Sequence, residues 1–125
     1  MRYLSVAFLE STLNRGATIE QFMGGVQRDG EQFIRWVELR PCEEGVEIWD
    51  YEVPDLGAEC LDFYAFAIVE QEPLAVVPNG ASALELAHLQ LGTSNVRWVT
   101  QGVSQDEFID FLRAGRPSPW CPVVA

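Results

Sequence analysis

The chain contains no lysine, and its eight basic residues are all arginines. Nineteen acidic residues outnumber them, which gives a formal net charge of −11 at pH 7. A field of this sign repels nucleic-acid phosphates and anionic lipids, so direct binding to nucleic acid or to a membrane surface is disfavoured. The same field attracts basic proteins and speeds their encounter, which predicts a basic protein as the partner. The alternative explanation is solubility, which excess carboxylates also promote.

Residues for metal, nucleotide or nucleophilic chemistry are scarce. His88 is the only histidine, which excludes ordinary two- and three-histidine zinc sites and weakens any catalytic triad. Cys42, Cys60 and Cys121 are widely spaced and form no C-x-x-C pair. Phosphate-binding glycine motifs and calcium-loop motifs are also missing from the sequence. The sequence therefore predicts no cofactor, no metal ion and no catalytic residues.

Long apolar runs are absent as well. No stretch approaches the roughly 20 apolar residues that a membrane-spanning helix needs. The apolar run within residues 1–10 is too short for a signal-peptide core followed by a cleavage site. Without a secretory signal, the odd number of cysteines is expected to stay reduced. The sequence therefore predicts a cytoplasmic protein.

The length and composition indicate one packed domain. The chain has 125 residues, of which 48% are hydrophobic, and this is too short for two ordinary domains. We expect residues 1–125 to form a single domain in which 116–125 is an extended, proline-rich tail. Trp120 is expected to fold back onto the body and hold the tail in place. The alternative for the tail is a polyproline-like ligand for an aromatic-lined groove.

Strand signals dominate the first 80 residues. Buried apolar runs and period-two alternation predict the strands. They cover Tyr3–Glu10, Gln32–Arg40, Val46–Val53, Leu61–Glu70 and Pro73–Val77, with a further short strand at Asn95–Thr100. The dipeptide Asp29-Gly30 is typical of a tight hairpin turn, and residues 42–45 predict a second turn. Residues 18–26 are compatible with a helix by their spacing and with a strand by their Gly24-Gly25 pair.

Helix signals follow in the last third of the chain. A capping box formed by Ser82 and Glu85 begins a helix that ends at Gly92. A second box at Ser104 begins a helix that ends at Gly115. Strands followed by helices predict an α+β fold. We expect a mostly antiparallel sheet of about five strands with the two C-terminal helices packed on one face.

The acidic residues are unevenly distributed. Between Pro41 and Val96 there are eleven acids and no arginine, and eight of the acids fall within residues 43–62. Aromatic residues among these acids can supply the anchoring contacts that charge alone does not. The predicted partner-binding residues are Glu43, Glu44, Glu47, Trp49, Asp50, Tyr51, Glu52, Asp55, Glu59 and Asp62. The competing interpretation is a solvated acidic edge that discourages strand-to-strand aggregation.

In size, acidity, predicted compartment and lack of catalytic motifs, the chain resembles the small immunity proteins that bacteria make against toxins. Its all-arginine basic composition resembles that of proteins from GC-rich bacterial genomes. The resemblance implies an inhibitor whose acidic face covers the substrate cleft of a basic toxin, often a nuclease. Three other classes remain open. The first is a small enzyme or ligand-binding domain, with Arg35, Arg97 or His88 beside a carboxylate in a cleft. The second is a mimic of nucleic-acid charge, and the third is an adaptor subunit with an exposed apolar patch.

Overall fold

The computed structural model describes residues 2–64 and 72–120, which form a five-stranded antiparallel sheet and three α-helices. The strands are β1 (Ile19–Arg28), β2 (Glu31–Cys42), β3 (Gly45–Pro54), β4 (Ala75–Val77) and β5 (Val99–Thr100). The helices are α1 (Leu9–Asn14), α2 (Gly80–Leu91) and α3 (Ser104–Arg113), with 3-10 helices at Val6–Phe8 and Gly57–Glu59. The strands lie in the order β4-β3-β2-β1-β5. The predicted α+β class, antiparallel sheet and two C-terminal helices are confirmed.

Strands β1, β2 and β3 form a meander joined by two tight turns. Asp29 and Gly30 both have positive φ angles, 53° and 81°, as the two central residues of a type I′ hairpin turn require. The second turn contains Glu43 and Glu44. Both predicted turns and the strands beside them are confirmed. The segment 18–26, left open between helix and strand, lies mostly in β1.

Strand β2 shows why both faces of the sheet are covered. Ile34 and Trp36 pack into an aromatic core with α3, whereas Val37 and Leu39 pack into a second core with α1 and α2. Residues an odd number of positions apart on a strand point to opposite faces. The two C-terminal helices therefore lie on opposite faces of the sheet and not together on one face. Because β2 is apolar on both faces, helices on one side only would leave half of it in water.

The tail packs onto the sheet through Trp120. Its ring contacts Phe22 and Phe111 edge-on, with ring centres 6.4 and 5.4 Å apart, and its Nε1 donates to Glu107 Oε2 at 2.9 Å. Gly24 makes this close approach feasible, because a Cβ at that position would lie 2.6 Å from Trp120 Cβ. The predicted fold-back of the tail is confirmed as far as residue 120, and residues 121–125 lie outside the described part.

Two predicted strands do not appear among the described strands. The strand at Tyr3–Glu10 is wrong, because this segment contains the 3-10 helix and the start of α1, whose Leu9 and Leu13 are buried. A short apolar run does not by its pattern distinguish a buried strand from a short buried helix. The predicted strand Leu61–Glu70 lies mostly outside the described residues. Its first four residues are described, and they end in a 3-10 turn at 63–64.

The predicted caps of both C-terminal helices are wrong. Helix α2 begins earlier, with Asn79 as N-cap, whose side-chain oxygen accepts from Ser82 N at 2.9 Å. Helix α3 has Val103 at its N-cap position, and the Ser104 hydroxyl makes no cap hydrogen bond. The predicted end of α2 is confirmed, since Gly92 is left-handed with φ 77°. Local spacing located the helices, but the donors and acceptors at their starts depend on the surrounding backbone.

The cap of α2 leads to a testable result. Asn79→Ala should lower the free energy of unfolding by about 1 kcal/mol, because the Ser82 N–H loses its acceptor. Ser82→Ala is the matched control, and it should cost clearly less because the serine hydroxyl does not cap the helix. Urea denaturation of the two variants measures both effects. A larger loss in Ser82→Ala than in Asn79→Ala would contradict this assignment.

Candidate interaction surface

The end of the β2–β3 hairpin carries a group of polar and aromatic side chains on the α3 face of the sheet. Arg40 lies opposite Glu47, and Glu38 lies opposite Trp49. The Arg40 guanidinium lies 4.7 Å from the centre of the Trp49 ring. Trp49 Nε1 donates to Glu47 Oε1 at 3.1 Å, and its ring stacks on Tyr51 with centres 5.6 Å apart. The half-buried Trp49 is therefore held by contacts with three neighbours.

Arg40 is engaged within the protein. Its guanidinium binds the buried Glu38 carboxylate at 2.8 Å and donates to the Tyr51 hydroxyl at 3.2 Å. Burial of Tyr51, together with the negative charge of Glu38, raises the pKa of the Tyr51 hydroxyl, which keeps it protonated at neutral pH. The positive charge of Arg40 is thus used to compensate a buried acid and does not offset the exposed acids of the turn.

The structure places the ten predicted partner-binding residues in different parts of the fold. Glu43, Glu44, Glu47 and Trp49 remain together at the hairpin end, with Glu43 and Glu44 exposed in the turn. We call these four residues the hairpin-end surface. Tyr51 is only 4% exposed and belongs to the aromatic core. Its ring stacks on Trp49 and leaves little of its own surface for a partner.

Asp50 and Glu52 lie on the opposite face of β3, because their positions alternate with those of Trp49 and Tyr51. Arg35 binds Asp50 at 3.0 Å, and Arg28 binds Glu52 at 2.6 Å. The hydrogen bond from Arg28 lowers the pKa of the Glu52 carboxyl. Both acids are therefore neutralised on the sheet and separated from the hairpin-end surface.

Asp55, Glu59 and Asp62 lie at or beyond the far end of β3. That strand has ten residues, so at roughly 3.3 Å per residue its ends are about 30 Å apart. The Asp55 side chain is fully buried and binds Arg116 at 2.8 Å, whereas Glu59 and Asp62 are exposed. The predicted acidic face is thus divided, and three of its acids are paired with arginines that are distant in sequence.

The hairpin-end surface keeps its negative charge. The structure shows five ion pairs among the described residues, and none of them includes Glu43, Glu44 or Glu47. The arginines that form these pairs are Arg2, Arg28, Arg35, Arg40 and Arg116. Exposed acids next to a firmly held indole ring combine long-range attraction for cations with an apolar contact area.

A second polar cluster surrounds Glu20, which sequence reasoning missed. Its side chain is fully buried, and its Oε1 accepts hydrogen bonds from the Tyr64 hydroxyl, from Gly102 N at 2.9 Å and from Ser104 N at 3.2 Å. Burial raises the pKa of Glu20, although these donors act in the opposite direction. Glu20 therefore replaces the missing side-chain cap of α3. The only sequence signal was a carboxylate between the apolar residues Ile19 and Phe22.

The residues considered for a small enzyme contact different partners. Arg35 is paired with Asp50, Arg97 donates to the carbonyl of Trp120 at 2.9 Å, and His88 Nδ1 lies 2.7 Å from the Thr93 carbonyl oxygen. Across residues 2–64 and 72–120, no group of three or more histidine, cysteine or acidic side chains is arranged to hold a metal ion. No helix in the described part of the chain is both long and apolar enough to cross a membrane.

Comparison with known proteins gives no assignment. No protein-family model, characterised protein or solved structure matches the chain.

Proposed function

We propose that the protein is an immunity-type inhibitor that binds a basic protein partner through the hairpin-end surface. One observation carries this proposal. Trp49 is held by Arg40, Glu47 and Tyr51, and it lies beside acids that have no ion-pair partner among the described residues.

The two parts of the surface have different physical roles. Glu43 and Glu44 attract a cationic partner over distances of about 10 Å, the screening length at moderate ionic strength. Trp49 supplies apolar contact area, and its position is already restrained, so little side-chain entropy is lost when a partner binds. Charge therefore accelerates association, and the indole ring slows dissociation.

A nuclease toxin fits this chemistry as the partner. A nuclease cleft is basic because it binds phosphates. A surface that presents carboxylates in place of phosphates competes for the same cleft and blocks substrate access. We place this interaction in the cytoplasm, where a nuclease toxin would meet its substrate.

Co-expression tests the proposal. A library of genes from the source genome is expressed in a bacterial host with and without this protein, and clones that grow only in its presence are sequenced. The expected result is a gene for a basic protein whose toxicity is suppressed and which forms a purified complex with the chain. If no toxic product is suppressed across a library of full coverage, the proposed function is wrong.

The hairpin-end surface is then tested on that complex. Replacing Glu43, Glu44 and Glu47 together with glutamine should slow association about tenfold at low salt. The effect should shrink at high salt, and stability should not fall, because these acids form no ion pairs in the described structure. Stopped-flow fluorescence measures the rates.

A matched control separates local charge from net charge. Glu31→Gln, Glu59→Gln and Asp106→Asn remove the same number of charges from exposed acids that lie away from the hairpin end. This control should slow association much less. Equal slowing by both triple variants would show that overall charge attracts the partner and that the hairpin-end surface is not the contact region.

A further inference from the structure

A groove runs along the outer side of α2. The groove has a volume of 350 Å³ and is lined mostly by apolar surface. The lining residues from the helix are Ser82, Glu85, Leu86, Leu89 and Gln90, and Val77 and Pro78 at the end of β4 complete it. The helical members recur at three- and four-residue spacing, so they form one stripe along α2.

This stripe adjoins the side of α2 that holds the helix on the sheet, and its Leu86 packs partly against the core. The buried residues of α2 are Gly80, Ala83, Leu84 and Ala87. Leu89 lies away from them and is 72% exposed. A leucine this exposed contributes little to the core, whereas it offers apolar area to a molecule that enters the groove.

The groove adjoins the acidic turn of the hairpin. A Cβ on Gly45 would lie 2.0 Å from the carbonyl oxygen of Val77, so the turn lies directly against the end of β4. Glu44 immediately precedes Gly45, and Glu85 is part of the groove wall. The acidic turn therefore lies next to the β4 end of the groove, whereas Trp49 and Glu47 lie on the other face of the sheet. Both the turn and the groove fall within the arginine-free stretch of the sequence.

We propose that this groove receives an amphipathic helix of the basic partner, with apolar side chains against Leu89 and arginine or lysine side chains near Glu85 and Glu44. This inference rests on the proposed function and specifies how the partner binds. Charge complementarity selects a cationic helix over a neutral or acidic one. An added strand fits less well, since β4 has only three residues and Pro78, directly after it, has no N–H to donate.

Leu89→Ser tests the inference. It should weaken binding of the partner about tenfold, mainly through faster dissociation, and the loss should persist at high salt. The thermal stability should change little, because the side chain is mostly exposed. Leu56→Ser is the matched control, since Leu56 is 45% exposed and lies beyond the far end of β3. It should leave the affinity unchanged.

A synthetic probe makes the test independent of the natural partner. The probe is a 16-residue helical peptide with leucines at positions i, i+3 and i+7 and arginines on both flanks, and the control peptide has serines in place of the leucines. NMR titration of the full-length protein should shift the methyl signals of Leu86, Leu89 and Val77 with the first peptide only. Leu89→Ser should weaken that binding about tenfold.

The outcomes separate the two proposals. If a toxin is found and the glutamate variant slows its association but Leu89→Ser has no effect, the groove inference is wrong and the proposed function stands. If the peptide binds in the groove but no toxin is suppressed, the proposed function is wrong. If both peptides shift the same signals around Glu43 and Glu44, binding is purely electrostatic and the groove is not a docking site.

Discussion

Glu20→Ala lowers the free energy of unfolding by about 3 kcal/mol, whereas Glu20→Gln costs clearly less at neutral pH. Alanine removes the acceptor of the Tyr64 hydroxyl and of the Gly102 and Ser104 N–H groups, and an unpaired buried donor costs about 1–3 kcal/mol. Glutamine retains one oxygen for these donors and avoids burying a charge. Its NH₂ group replaces Oε2, which accepts no hydrogen bond within the described residues, so the new N–H donors lack a partner there and offset part of this gain.

Urea denaturation of the three proteins at neutral pH measures these differences. Amide exchange provides a local readout, because the first turn of α3 should exchange faster in Glu20→Ala and should remain protected in Glu20→Gln. Equal losses of stability in both variants would show that the carboxylate charge itself is needed. The interpretation that an uncharged acceptor can replace the Glu20 carboxylate would then be wrong.

The effect of Glu20→Gln on stability should also depend on pH. Burial raises the pKa of Glu20 above its usual value of 4.5, so the folded protein binds this proton more tightly than the unfolded chain does. Stability from a raised pKa is complete below the unfolded-state value and is lost as pH rises through the folded-state value. The stability of the glutamine variant relative to the wild type should therefore be highest at neutral pH and lowest near pH 4.5. A difference that is constant over this range would contradict the raised pKa.

Trp120→Ala should lower the free energy of unfolding by about 3 kcal/mol. The substitution removes an aromatic ring that packs on Phe22 and Phe111 and deletes the donor to Glu107. It also opens space above Gly24, where the tail approaches the sheet most closely. The loss should appear as a lower midpoint in urea and as faster amide exchange in α3.

Trp120→Phe serves as the companion variant. Phenylalanine keeps most of the ring packing but cannot donate to Glu107, so about 1 kcal/mol should be lost. A tail that is not packed in solution would give wild-type stability in both variants. It would also mean that Arg97 does not donate to the Trp120 carbonyl in solution.

The hairpin-end surface is distinct from these stabilising contacts. Glu20 and Trp120 hold α3 and the tail against the sheet, whereas Glu43 and Glu44 extend from a turn whose backbone is already defined by β2 and β3. Exposed acids near one another repel, so neutralising them should not destabilise the free protein. Variants that weaken binding are therefore separable from variants that weaken the fold.

Local patterns in the sequence determined the central meander, the two C-terminal helices and the concentration of acids between Pro41 and Val96. Turn residues with positive φ, such as Asp29 and Gly30, and period-two alternation act over only a few residues, so they can be read from the sequence. The acidic turn at Glu43 and Glu44 was found for the same reason, because charge and turn signals coincide there.

Tertiary structure alone decided which acids stay exposed and which face each helix covers. Arg28 is 24 residues from Glu52, and Arg116 is 61 residues from Asp55, so no local pattern indicates that these acids are neutralised. Glu20 became a buried cap for the same reason, since its donors lie more than 40 residues away in sequence. The physical cause is common to all of them: ion pairs, caps and core faces depend on contacts between distant segments, which form only when the chain has folded.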